Sequence, residues 1–209
     1  MIDTYTLIEK LKDNCTGDLP GEEAQNIMLA KPRADITFQD TTEHTIPSAI
    51  LILLYPDKND IIFFLTERTN KVPHHKGQIS FPGGSWETGE HLHETATRET
   101  EEEIGIPADK IEILCELTPL FVKFTGYMIH PFVGYLAEKH NIVAQPDEVS
   151  EIFSASLSEL MNPNSLQTEL RTIRGIPVDV PFFKFGKYKV WGATAMILSE
   201  FKHCIADIV

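Results

Sequence analysis

Apolar residues follow helical spacing at the two ends of the chain and in its middle, and form continuous runs elsewhere. "MIDTYTLIEKLKDN" places Ile2, Leu7, Ile8 and Leu11 on one side of a short amphipathic helix. Residues 15–46 are polar, contain Pro20 and Pro32, and predict a largely irregular arm. "SAILILLYP" and "DIIFFLTER" are unbroken apolar runs of the buried-strand type, and the "PDKND" between them suits a hairpin turn. "QISFP" predicts a shorter strand running into Gly83-Gly84. Residues 91–104 have helical character, with Leu92, Ala96 and Ile104 among few apolar positions. Strands are expected near 111–120 and 127–137, and "EVSEIFSASLSELMNP" predicts a strand passing into a short helix. "TIRGIPVDVPFFKFGKYKVWG" alternates strands and turns, and "ATAMILSEFKHCIADI" closes the chain as an amphipathic helix. Strands dominate around one central and one terminal helix, so the expected class is α/β (α+β), a mixed β-sheet packed between α-helices.

The 209 residues are 42% hydrophobic, enough for a substantial core. Lys plus Arg number 18 against 31 Asp plus Glu, a formal charge of -13 that disfavours non-specific nucleic-acid binding. A phosphate compound could still be bound through divalent cations. Cys15, Cys115 and Cys204 are far apart and show neither zinc spacing nor a disulfide framework, which points to a reducing compartment. Cys115, in an apolar strand, is expected to be inert core. The N-terminus lacks the apolar stretch of a signal peptide and no run approaches a membrane span, so the expectation is a cytoplasmic protein with no membrane partner.

The stretch "GGSWETGEHLHETATRETEEEIGI", residues 83–106, carries five glutamates between Glu94 and Glu103. Like charges one turn apart cost roughly 0.2–0.5 kcal/mol per pair, so such a helix needs a reason. Glu99, Glu102 and Glu103 stand at i, i+3 and i+4 and share one face, an oxygen-ligand surface for a hard cation such as Mg²⁺ or Mn²⁺. The glycines before the helix would let the backbone approach a ligand closely. A glutamate-rich helix can also be a plain solvated face, but that reading does not account for "FPGG" in front of it or the Gly-Ile end.

Gly84, then Glu90, then "RETEEEIGI" from Arg98 to Ile106 resembles the Nudix box, G-x5-E-x7-R-E-U-x-E-E-x-G-U with U aliphatic; Thr100 stands at an aliphatic position. Upstream, "FLTERTNKVPHHKGQISFPGG", residues 64–84, is similar to the signature of the coenzyme A pyrophosphatase branch, with Pro73 where that branch usually has Arg. The likeness covers about residues 47–205, leaving residues 1–46 as an N-terminal helix and arm ahead of a Nudix domain at 47–209. It implies a Nudix fold, a mixed sheet sandwiched between helices. It also implies metal-dependent cleavage of a small nucleotide substrate: coenzyme A or its thioesters, cut to a 4'-phosphopantetheine compound and adenosine 3',5'-bisphosphate.

On these readings Glu99 and Glu103 are the first metal ligands, and Glu102 is a further ligand or the base that takes a proton from water. Glu101 should point elsewhere. The resemblance suggests that Glu90 and Arg98 brace the loop. Arg68 could hold a phosphate with its planar fork. Gln78 and Phe81 flank Gly83 and Gly84 and could line the pocket, although Phe81 suits core equally. Glu148 is a candidate late carboxylate near the metal. His74 and His75 should point apart, which disfavours zinc and leaves a phosphate contact by His75. His91 and His93, at i and i+2, should not share a helix face. Trp191 suits packing. The alternatives are hydrolysis of ADP-ribose, NADH or another nucleoside diphosphate derivative, and a non-catalytic Nudix ligand-binding module. A calcium-binding protein is disfavoured by the missing EF-hand loop.

Overall fold

The computed structural model describes residues 4–33, 44–58, 60–69 and 77–209. Ile2, Pro73, His74 and His75 lie outside the described residues. Helix α1 (Thr4–Thr16) and the short α2 (Gly21–Asn26) precede β1 (Lys31–Pro32). The two apolar runs form β2 (Ile46–Asp57) and β3 (Asp60–Arg68), followed by β4 (Ile79–Ser80) and β5 (Gly83–Ser85). Helix α3 spans Leu92–Ile104. Strands β6 (Ile111–Glu116), β7 (Leu120–Val122), β8 (Tyr127–Leu136) and β9 (Val149–Ser156) follow, then α4 (Leu157–Met161). The chain ends with β10 (Leu166–Ile173), β11 (Ile176–Phe185), β12 (Tyr188–Trp191) and α5 (Ala193–Cys204).

The larger sheet is mixed. Its spine runs β4-β3-β2-β8-β6, with β5 beside β2, β7 beside β8 and β9 beside β3. Strand β2 pairs in parallel with β8 and antiparallel with β3 and β5. A second sheet contains β1, β10, β11 and β12. The unbroken apolar runs are explained by burial on both faces. Ala49, Leu51 and Leu53 of β2 join Phe64, Ala96 and Ile104 in one core cluster under α3. The intervening Ile52 and Leu54 join Phe63, Leu65, Phe183 and Phe201 in the other.

Within the expected irregular arm at 15–46, residues 15–33 are more ordered than their polarity predicts, because they contain α2 and β1. Leu7, Leu11 and Met28 are buried in the same cluster as β2, β3 and α5. Glu200 of α5, itself buried, accepts hydrogen bonds from Gln25 Nε2 at 2.8 Å, Gly21 N at 3.3 Å and Thr118 N at 3.1 Å, which fixes α2 against α5. The expected strand at 111–120 divides into β6 and β7, with a register shift between Ile113 and Cys115. Cys115 is not a free core thiol: it forms a disulfide with Cys15, whose Cα lies 6.0 Å away, and ties α1 to β6. Cys204 is free and buried. No helix among the described residues is long and apolar enough to cross a membrane.

Candidate active site

The pairing of β5 with β2 decides where the site forms. Gly83 and Gly84 lie opposite Ile50 and Ala49. A Cβ on Gly83 would collide with the backbone of Ala49 and Ile50, so only glycine lets this strand close. A Cβ on Gly84 would collide with the carboxylate of Glu99. The two glycines thus act on different neighbours: one seats β5 on the sheet, the other leaves the space that a helix carboxylate fills. Helix α3 then presents its acidic face to this strand. It starts where the His91 N–H donates to Glu94 Oε2 at 2.7 Å, and it stops at Gly105 in the left-handed region (φ 75°).

Arg98 organises the carboxylates. Its guanidinium forks onto Glu90, with Nε donating to Oε2 and Nη2 to Oε1, both at 3.1 Å. Nη1 donates to Glu99 Oε1 at 2.8 Å and to Glu102 Oε1 at 3.3 Å, and Nη2 also donates to the Ser85 carbonyl at 3.2 Å. One planar cation therefore spans the loop, two helix glutamates and β5. Glu90 is held at a pKa of about 2, chiefly by Arg98, with help from Thr95 Oγ1 donating at 2.7 Å and the Glu87 N–H at 2.8 Å. Arg98 itself is shifted further up by Glu90.

Glu103 has the opposite environment. It is only 2% exposed, and its Oε2 has no hydrogen-bond partner in the structure. Burial pushes its pKa up to about 8, against the pull of Arg68 and with further push from Glu99 and Glu148. Arg68 Nη1 stands 3.7 Å from Glu103 Oε1, an ion-pair distance rather than a hydrogen bond. Burial also raises Glu99, partly opposed by Arg98. A buried carboxylate with one oxygen unpartnered, beside a second partly buried one, is costly unless a cation arrives. The donor set is all oxygen, which suits a hard divalent ion that takes its remaining ligands from water and phosphate. Among the described residues no group of three or more His, Cys, Asp or Glu side chains is placed to hold a metal ion. The orphaned Glu103 oxygen, the space beside Gly84 and the oxygen-only chemistry fit an open cation site.

The other expected residues distribute as follows. Arg68 lies at the end of β3, where its N–H donates to the Gln78 carbonyl at 3.0 Å, and its side chain reaches the carboxylates. Glu148 is exposed in the loop before β9, held by the Thr69 N–H donating to its carbonyl at 2.9 Å, and its charge acts on Glu99 and Glu103. Glu102 is exposed on the outer side of Arg98. Glu101 points away and accepts the Ala108 N–H at 3.0 Å. Phe81 is not a pocket residue: it is 2% exposed and packs on Phe63, ring centroids 6.2 Å apart, in the core on the far side of the sheet from α3. His75 falls outside the described residues. His91 and His93 do meet, with rings stacked at 5.6 Å, because His91 is the N-cap in extended conformation and not a helical residue. Three supports went unread in the sequence: Thr95, Ser85, and Trp86, whose Nε1 donates to the Glu90 carbonyl at 2.7 Å. Their contacts cross a loop, and spacing alone does not signal them.

A family profile described as NUDIX domain matches residues 45–174. The Nudix hydrolase NudL of Photorhabdus laumondii is 35% identical over 137 residues, 65% of this chain and 73% of that protein. Nudix hydrolase 3 of Caenorhabditis elegans is 32% identical over 154 residues, 72% of this chain, and the chain spans 63% of its length. Among solved structures, the Nudix hydrolase RenU of M. smegmatis has the same fold at a TM-score of 0.52 and 17% identity, covering 79% of this chain and 88% of that one.

Proposed function

The chain belongs to the Nudix family, and on that premise we propose that it is a Mg²⁺- or Mn²⁺-dependent pyrophosphohydrolase of coenzyme A and its thioesters. The products would be a 4'-phosphopantetheine compound and adenosine 3',5'-bisphosphate. The observation that carries the metal-dependent part is the buried Glu103 carboxylate with an unpartnered oxygen, beside Glu99, which Arg98 braces. The substrate part is supported by "LTERT" and "GQISFPGG", residues 65–69 and 77–84, which resemble the coenzyme A branch.

Glu99 and Glu103 would hold the cation, with Glu102 and Glu148 at its margin. Bound there, a divalent ion supplies neutralisation of phosphoanhydride charge and a lowered pKa for water. Arg98 holds the Glu99 carboxylate in place, and Gly84 leaves it the room to be there. Arg68, drawn toward Glu103 in the free protein, can turn its fork to a phosphate oxygen. Glu102, exposed and accepting from Arg98 at 3.3 Å through Oε1, would accept a proton from attacking water at Oε2. Pro73, where the branch usually has Arg, supports a second reading in which ADP-ribose or another nucleoside diphosphate derivative is preferred.

The test compares kcat/KM for coenzyme A, ADP-ribose and NADH with Mg²⁺ or Mn²⁺. The highest value for coenzyme A supports the first reading. Efficient cleavage of ADP-ribose with none of coenzyme A overturns it and leaves a general Nudix hydrolase.

A further inference from the structure

Along β9 lies a groove of about 500 Å³, within the size range of small-molecule sites. Phe64, Ile142 and Ala144 line it together with all of residues 150–154 of β9. Side chains alternate across a strand, so five consecutive residues can share one groove only if it runs along the strand's edge. That edge is free: among the described residues β9 pairs with β3 alone, and no other backbone hydrogen bond reaches residues 150–154. An unpaired edge offers N–H and C=O groups to any extended amide-bearing partner.

Two connections place the groove near the site in the chain. Glu148 is two residues before Ser150. The loop carrying Ile142 and Ala144 is pinned to the last turn of α3, where Val143 N donates to the Ile104 carbonyl and Gln145 N to that of Glu103, both at 3.0 Å. From Ser150 to Ser154 the strand advances about 13 Å at roughly 3.3 Å per residue. The one ionisable lining group, Glu151, is already occupied: Lys187 Nζ donates to both its oxygens at 3.1 Å. Apolar side chains, two serines and a charge-compensated Glu151, beside that strand edge, suit an uncharged extended chain carrying secondary amides.

We propose that this groove receives the uncharged, amide-bearing arm of the substrate, laid as a short extra strand against the outer edge of β9, while the phosphates occupy the carboxylate site. This deepens the coenzyme A reading and rests on it, since a pantetheine arm is uncharged, extended and carries two secondary amides. Ile142 and Ala144 would then be specificity residues outside the catalytic machinery.

The experiment uses the full chain and two variants, Ala144→Trp, which fills the groove, and Ile142→Ala, which strips a wall. Ala144→Trp should raise KM for coenzyme A about tenfold with kcat largely kept, and leave KM for ADP-ribose, which has no such arm, unchanged. Pantetheine alone, added to the unmodified protein, should shift the backbone amide resonances of residues 150–154, and Ile142→Ala should weaken that binding. If coenzyme A is cleaved but neither variant changes its KM and no amide shifts, the groove proposal is overturned and the substrate reading stands. If coenzyme A is not cleaved yet pantetheine still shifts residues 150–154, the substrate reading falls and the groove assignment survives for another amide-bearing ligand. Neither cleavage nor shifts overturns both.

Discussion

Glu103→Gln should make the metal-free protein more stable at neutral pH, although it removes a residue at the heart of the site. The buried carboxyl has a folded pKa of about 8 against an ordinary 4.5. For an acid raised in this way, the folded state holds its proton while the unfolded chain has lost it. The contribution to stability is therefore complete below pH 4.5 and drains away as pH climbs toward 8. Linkage over that window gives a penalty of about 3 kcal/mol at pH 7 and less than about 1 kcal/mol at pH 5. Gln has nearly the same shape and does not titrate. The variant should thus gain about 3 kcal/mol at pH 7, or about 6–12 °C in Tm for a chain of this size, and little at pH 5. The assay is urea unfolding in EDTA at both pH values, repeated with millimolar Mg²⁺. The cation should stabilise the parent protein at pH 7 and the variant much less. A variant less stable than the parent at pH 7 without metal, or an equal gain at pH 5, would refute the reasoning that Glu103 is a buried carboxylate waiting for a cation.

Gly84→Ala should lower kcat/KM about a hundredfold, because the new methyl displaces the Glu99 carboxylate by a good fraction of an ångström, while Tm moves by a few degrees at most. Circular dichroism and steady-state kinetics on the same sample separate the two effects, and unaltered turnover would sink the proposed role of Glu99. Arg98→Lys keeps the charge but loses the fork that holds Glu90, Glu99 and Glu102, so the Mg²⁺ concentration for half-maximal activity should rise about 10- to 100-fold. A metal titration unchanged in that variant would mean that charge alone, not planar geometry, does the bracing.

Much of this was legible because the relevant forces are local. The apolar runs of β2 and β3 announced buried strands, since a sheet covered on both faces needs apolar residues at every position. Glu99 and Glu103 share a face by helix geometry alone, and Glu101 was expected to turn away and does. What stayed hidden depends on distant pairing. The partner of Cys115 is Cys15, 100 residues earlier, and nothing in the spacing joins them. Helix α2 is held by Glu200, a contact that exists only after α5 has docked. Phe81 sits beside two glycines of the site, yet its side chain projects to the opposite core, and only the register of the short strands around it decides that. Thr95 and Trp86 support Glu90 through a loop whose closure the sequence does not spell out.

Turnover of coenzyme A with Mg²⁺ in water enriched in ¹⁸O, read by product mass, decides between hydrolysis of the phosphoanhydride and every other reaction. Attack of water on the phosphoanhydride predicts two products, 4'-phosphopantetheine and adenosine 3',5'-bisphosphate, with one heavy oxygen in the phosphate of one of them and no turnover in EDTA. Release of the 3'-phosphate alone, cleavage of the pantetheine amides, or products that form equally well without a divalent cation would contradict the account.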